Sequence, residues 1–93
     1  KIPEGSLDIV LLVNNLYLAK QKDNLAREAR RLLAPNGRLI VADWKTTQAP
    51  FGPPVQDRVS PEAAIKVLTS NGLVLEKDFV AGKYHYGLVF QKS

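Results

Sequence analysis

The sequence predicts an α/β layer, and three observations carry that prediction. Two apolar runs, one within 7–13 and one within 38–44, lack the alternation of a half-exposed strand and read as strands of a parallel sheet. Between them, the apolar residues of 23–33 recur at helical spacing. A second helix signal and two further strands follow, the strands joined by a short Gly-containing connection. A strand that returns through a helix to a second doubly covered strand is a βαβ crossover, which is right-handed.

The elements follow in order. Residues 1–6 form a polar lead containing Pro3 and Gly5. The first strand runs from Leu7 to Val13 and is expected to be covered on both faces. Asn14, Asn15, Leu16 and Tyr17 follow at its carboxyl end, the side where open α/β sheets bind ligands. In the helix, Leu25, Ala29, Leu32 and Leu33 make one apolar stripe. Asp23 is its expected N-cap and stands four residues before Arg27, the favoured ion-pair orientation. Pro35 disfavours helix at Ala34, and Asn36-Gly37 predicts a turn in which Gly37 takes positive φ. The second strand is then Arg38 to Trp44, also covered on both faces.

Residues 45–59 contain Pro50, Gly52, Pro53 and Pro54 and read as a loop, placed where a lid or substrate-facing segment would sit. Ser60-Pro61-Glu62 opens the second helix with a Ser cap, Pro at the first helical position and an early acid. That helix is expected to bury Ala64, Ile65 and Leu68 and to stop at Asn71-Gly72. Strands of about 73–80 and 84–92 close the chain as an antiparallel hairpin through Ala81-Gly82-Lys83. In the last strand Tyr84, Tyr86, Leu88 and Phe90 share one face, with His85, Gly87, Val89 and Gln91 on the other.

Ninety-three residues suffice for one small domain, burying roughly 60–65 % of the surface of the unfolded chain. The absence of cysteine excludes disulfides and thiolate metal cages, and no His/Asp/Glu clustering suggests a metal. The longest wholly apolar run, Ile9 to Val13, is too short to span a bilayer, and no signal peptide is visible. A soluble cytoplasmic protein is the expectation. The sequence has no methionine, even at position 1, so a fragment or a processed product is expected.

The net charge of +4 is concentrated on Lys20, Lys22, Arg27, Arg30, Arg31 and Arg38, opposed locally by Asp23 and Glu28. Such a face either attracts nucleic acid or is the solvated side of an amphipathic helix. No aromatic residues interleave with these arginines, so base stacking, and with it nucleic-acid binding, is not expected.

Specific segments resemble the C-terminal half of a class I S-adenosylmethionine-dependent methyltransferase. Ser6-Leu7-Asp8-Ile9-Val10 is similar to that family's entry into its fourth strand. The segment Glu28-Ala29-Arg30-Arg31-Leu32-Leu33-Ala34-Pro35-Asn36-Gly37-Arg38-Leu39 is similar to its Glu-x-x-Arg-x-Leu-x-Pro-Gly-Gly motif, with Asn36 for the first Gly. Gly72-Leu73 and Tyr84 to Phe90 match the glycine before the sixth strand and the closing strand. The resemblance implies half of a Rossmann-like sheet over residues 1–93, with the last strand inserted between the second and third strands of this chain. The family's first half carries its Gly-rich cofactor loop. The six glycines here are isolated, so these residues build no such loop.

The resemblance also implies site residues. Asn14, Asn15 and Leu16 map to cofactor contacts, and Tyr17 to an acceptor or catalytic contact; the alternative is that the asparagines cap a turn and Tyr17 packs. Asp43 is a candidate general base or acceptor contact, and Trp44 a candidate wall for an acceptor pocket. The competing roles are a loop cap for Asp43 and peripheral core for Trp44. His85, the sole histidine, sits mid-strand without a nucleophile arranged around it and reads as structural. The implied function is methyl transfer from S-adenosylmethionine to a small-molecule or otherwise unidentified acceptor, with the isolated chain inactive. The alternative is a non-catalytic half-sheet module. In either case the strand Asp8 to Val13 is an apolar edge that pairs with the missing N-terminal half or with a second copy.

Overall fold

The computed structural model describes residues 3–13, 21–47 and 52–92. Its elements are β1 (Leu7–Val13), α1 (Lys22–Leu32), β2 (Leu33–Trp44), α2 (Pro61–Ser70), β3 (Leu73–Val80) and β4 (His85–Lys92), with one 3-10 turn at Val55–Asp57 inside the expected loop. The four strands form one sheet in the order β1-β2-β4-β3. β1 runs parallel to β2, whereas β4 is antiparallel to both β2 and β3. The last strand of the chain is therefore inserted between its second and third, as the resemblance implied.

Both helices pack on one face of this sheet. Leu12, Leu39, Val41, Leu73, Leu88 and Phe90 meet Ala26 and Ala29 of α1 and Ala64 and Leu68 of α2 in a continuous core. Alternation along the ladder explains the set: Leu39 opposes Phe90, and Val41 opposes Leu88, so each pair points to the same side. Burying each large aliphatic or aromatic side chain contributes about 1.5–3 kcal/mol.

β1 departs from the expectation of cover on both faces. Val10 and Leu12 turn toward the helices, but Ile9, Leu11 and Val13 remain 57 %, 59 % and 50 % exposed. A single crossover helix covers one face only. β1 is also the last strand on its side of the described sheet, so its second edge has no ladder partner among the described residues.

Two local expectations are corrected. The turn at 34–37 is absent; β2 already begins at Leu33, and the ladder passes from Leu7↔Leu33 to Ile9↔Arg38. β2 thus uses more residues than β1 across this step, and 34–37 form a bulge. Gly37 is not at positive φ. It is glycine for want of space, since a Cβ would lie 2.9 Å from Leu33 Cδ2 and 3.0 Å from the Leu7 carbonyl oxygen. Nor is Asp23 the cap of α1: Gln21 holds that position without a side-chain cap bond, and Asp23 lies in the first turn. The Asp23 carboxylate instead accepts from Asn71 Nδ2 at 2.9 Å, joining the start of α1 to the end of α2. Arg27 bonds Asn24 Oδ1.

The second helix conforms closely. Ser60 Oγ accepts from Ala63 N at 3.1 Å, Pro61 is the first helical residue, and Asn71 is the C-cap. Ala64 and Leu68 are fully buried, while Ile65 packs at the margin of the core.

Candidate functional site

The carboxyl end of β2 places two candidate residues side by side in sequence and on opposite faces of the sheet. Asp43 continues the inward phase of Leu39 and Val41 and is completely buried, opposite Tyr86. One carboxylate oxygen, Oδ1, accepts from the Trp44 backbone N–H at 2.8 Å. This bond fixes the end of the strand, the role of a local cap.

Tyr86 is buried beside it and donates its hydroxyl to the Val59 carbonyl at 2.8 Å. Burial, and then the negative charges of Asp43 and Glu62, push the phenol pKa well above its ordinary value. Tyr86 is therefore a neutral hydrogen-bond donor at physiological pH. Its bond joins the centre of the sheet to the segment entering α2.

Trp44 faces the other way. Its indole lies 4.2 Å, centroid to centroid, from the His85 ring at an interplanar angle of 38°. The Arg58 guanidinium carbon sits 5.3 Å from the indole centroid, a cation–π placement. Arg58 also organises the loop after β2: Nε donates to the Pro53 carbonyl at 2.8 Å, and an Nη to the Lys45 and Thr47 carbonyls at 3.0 Å each. Gly52, at φ +97°, approaches the same indole so closely that a Cβ would lie 2.9 Å from Cζ3. A flat aromatic surface with a fixed cation and a neighbouring imidazole results, suited to walling a planar or polar ligand rather than to attacking one.

The structure brings Trp44 together with His85, Arg58 and Gly52, and Asp43 together with Tyr86. It does not bring Asp43 and Trp44 onto one side. Asn14, Asn15, Leu16 and Tyr17 lie outside the described residues; the β1–β2 ladder ends at Val13↔Ala42, immediately before Asp43. Arg58 and Gly52 were not identified from sequence, because an arginine and a glycine in a proline-rich loop carry no local mark of their partners. The inward phase of 39, 41 and 43 did carry a signal that Asp43 is buried.

Among the described residues no group of three or more His, Cys, Asp or Glu side chains is arranged to hold a metal. No helix there is long and apolar enough to cross a membrane. The described residues likewise contain no Gly-rich cradle: Gly52, the glycine in the loop leaving β2, is pressed against Trp44.

The model of the methyltransferase domain family matches residues 1–41. Solved structures match nearly the whole chain in fold. A Sulfolobus solfataricus protein assigned to the type 11 methyltransferases is 30 % identical with a TM-score of 0.89, over 99 % of this chain and 53 % of its own. A SAM-dependent methyltransferase from Aquifex aeolicus is 21 % identical with a TM-score of 0.92, over 99 % of this chain and 49 % of its own. The [4+2]-cyclase SpnF is 16 % identical with a TM-score of 0.76, over 97 % of this chain and 52 % of its own. The chain spans about half the length of each. No curated protein sequence matches.

Proposed function

We propose that this chain, whose fold is the C-terminal half of the S-adenosylmethionine-dependent methyltransferase domain, forms the acceptor side of a methyltransferase. The observation that carries this reading is the surface at the carboxyl end of β2, where Trp44, His85 and Arg58 are held in one rigid group. Carboxyl ends of strands are where open α/β sheets place their ligands. The sulfonium of S-adenosylmethionine already carries an activated leaving group, so methyl transfer requires chiefly that acceptor and donor be positioned and shielded from water. A wall of fixed aromatic and cationic groups serves positioning. The segment at Asn14, Asn15, Leu16 and Tyr17 supplies the adjoining contacts in this reading, and the cofactor cradle comes from a further polypeptide segment paired along β1.

The fold alone does not fix the chemistry, since a [4+2]-cyclase shares it. The test is a chimera in which these residues replace the matching half of the Sulfolobus relative. A chimera that melts cooperatively and binds S-adenosylmethionine supports the assignment; a cooperatively folded chimera without cofactor binding overturns it. The chain alone is expected to bind cofactor weaker than micromolar and to show no turnover, and turnover by the chain alone refutes that division of labour.

A second reading, a half-sheet module that self-associates, is favoured by a separate observation. Ile9, Leu11 and Val13 lie exposed on an edge strand, and apolar edges of this kind recruit another strand. Sedimentation equilibrium decides it: a concentration-dependent dimer is expected, and a monomer at all concentrations removes the idea.

A further inference from the structure

The chain contains two Asn-Gly pairs, Asn36-Gly37 and Asn71-Gly72, and the fold treats them oppositely. Asparagine is chemically labile where the nitrogen of the next residue can reach its side-chain carbonyl carbon. Glycine, lacking Cβ, shields that nitrogen least. Asn71 is held away from this chemistry. Its Nδ2 donates to Asp23 Oδ1 at 2.9 Å and to the Val67 carbonyl at 2.8 Å. The Gly72 N–H donates to the Thr69 carbonyl at 3.4 Å. Both groups that would react are engaged in closing α2.

Asn36 stands in the bulge of β2, where residues 34–37 have no partner in either ladder of that strand. It is exposed, and among the described residues no hydrogen bond holds its side-chain amide. Gly37 cannot give way to a more shielding residue, because a Cβ would lie 2.9 Å from Leu33 Cδ2 and 3.1 Å from the Ala34 carbonyl oxygen. Arg38 acts on the peptide bond itself: its Nη1 donates to the Asn36 main-chain carbonyl at 2.7 Å. That carbonyl and the Gly37 N–H belong to one amide, so a cationic donor on the oxygen draws electron density from the nitrogen. A neighbouring positive charge favours the deprotonated form of an acid, here the Gly37 N–H. Glu76 pairs with Arg38 Nε at 2.6 Å, which anchors the guanidinium and tempers its charge but leaves the Nη1 bond in place.

We propose that Asn36 is a self-modifying site that converts to isoaspartate with Arg38 promoting the reaction, and that Asn71 is shielded from it. The Gly37 nitrogen gives its proton to solvent base and bonds to Cγ of Asn36. Nδ2 takes up a proton and leaves as ammonia, closing a five-membered imide. Water then adds to the main-chain carbonyl carbon, the one Arg38 polarises, and breaks its bond to the Gly37 nitrogen. The chain now runs through Cγ, and the former main-chain carbonyl is a free carboxylate. One water is consumed and one ammonia released, with no oxidant or cofactor. The new carboxylate arises on the oxygen that Arg38 already contacts, so the same guanidinium holds the product. A bulge admits the extra backbone atom that a paired strand position would not. The proposal does not rest on the methyltransferase reading.

The test is incubation of the folded chain at mildly alkaline pH, followed by tryptic mass analysis, in which peptides 32–38 and 67–77 report the two sites separately. Asn36 is expected to convert about ten times faster than Asn71 or more, since Asn71 must first break two side-chain bonds. The product should resist a protease that cuts before aspartate. In denaturing urea the two rates should converge. Arg38→Gln should slow conversion at Asn36 several-fold, whereas Glu76→Gln, which spares the Nη1 bond, should not; thermal melts verify that both variants fold. The wild-type comparison decides even where a variant does not. The proposal is overturned by equal rates at the two sites in the folded protein, by a rate ratio that persists in urea, or by an Asn36 rate that Arg38→Gln leaves unchanged or that Glu76→Gln slows equally.

Discussion

Tyr86 donates its buried hydroxyl to the carbonyl of Val59, and this one bond ties the innermost antiparallel strand to the segment that launches α2. Tyr86→Phe leaves that carbonyl without the bond and is expected to cost about 0.5–1.5 kcal/mol in urea denaturation. The phenol's pKa is higher in the folded protein than in the unfolded chain. Its contribution is therefore complete below the unfolded value of about 10 and is lost as pH rises above it toward the folded value. The stability difference between wild type and Tyr86→Phe should hold constant from neutral pH to about pH 9 and shrink beyond about pH 10. A difference that grows with alkalinity contradicts the assignment.

Gly52 combines a positive φ with contact against the Trp44 indole. Gly52→Ala is expected to lose roughly 1–2 kcal/mol from backbone strain alone. The added methyl must also move the ring from Arg58 and His85. Tryptophan fluorescence of the folded variant should shift, whereas an unchanged spectrum would mean the indole is not confined there.

Ser60→Ala removes the acceptor for the Ala63 N–H and should destabilise the protein by about 1 kcal/mol. Ser60→Asp should retain most of the stability, because Asp also caps and favours the positive end of the helix dipole. Thermal midpoints of the two variants check the order.

Leu11→Lys places a charge on the uncovered face of β1, where the native side chain is 59 % exposed. The variant should remain folded, since its core contacts are made by Val10 and Leu12. It should also shift any dimer seen by sedimentation toward monomer, as charged residues on edge strands do. Unchanged association would place the interface elsewhere.

What the sequence disclosed, and what it concealed, divides along physical lines. The start and stop of α2 were legible because Ser60, Pro61 and Asn71-Gly72 act through their immediate neighbours. The faces of β4 were legible because strand alternation is strict, and the register bears them out. The bulge at 34–37 was not, since Pro-Asn-Gly composition marks a departure from regular backbone without distinguishing a turn from a bulge. The cap at Gln21 was missed because a neighbouring Asp satisfied the same local rule. Cover on both faces of β1 was overestimated: an apolar run records what a strand can bury, and Ile9, Leu11 and Val13 show that one face is not buried within this chain. The group around Trp44 depends on residues far apart in sequence, and Arg58 acquires its role only when the loop folds back over the indole.

The position of β4 between β2 and β3 has a consequence for how the protein is made. Synthesis proceeds from the amino end, so β2 and β3 emerge from the ribosome with no strand yet available to bridge them. The α1 crossover can form early, but the sheet joins into one body only when its final segment slots into the gap. Translation halted before His85 would leave β2 and β3 in one chain with no strand between them, exposing the ladder edges that β4 covers.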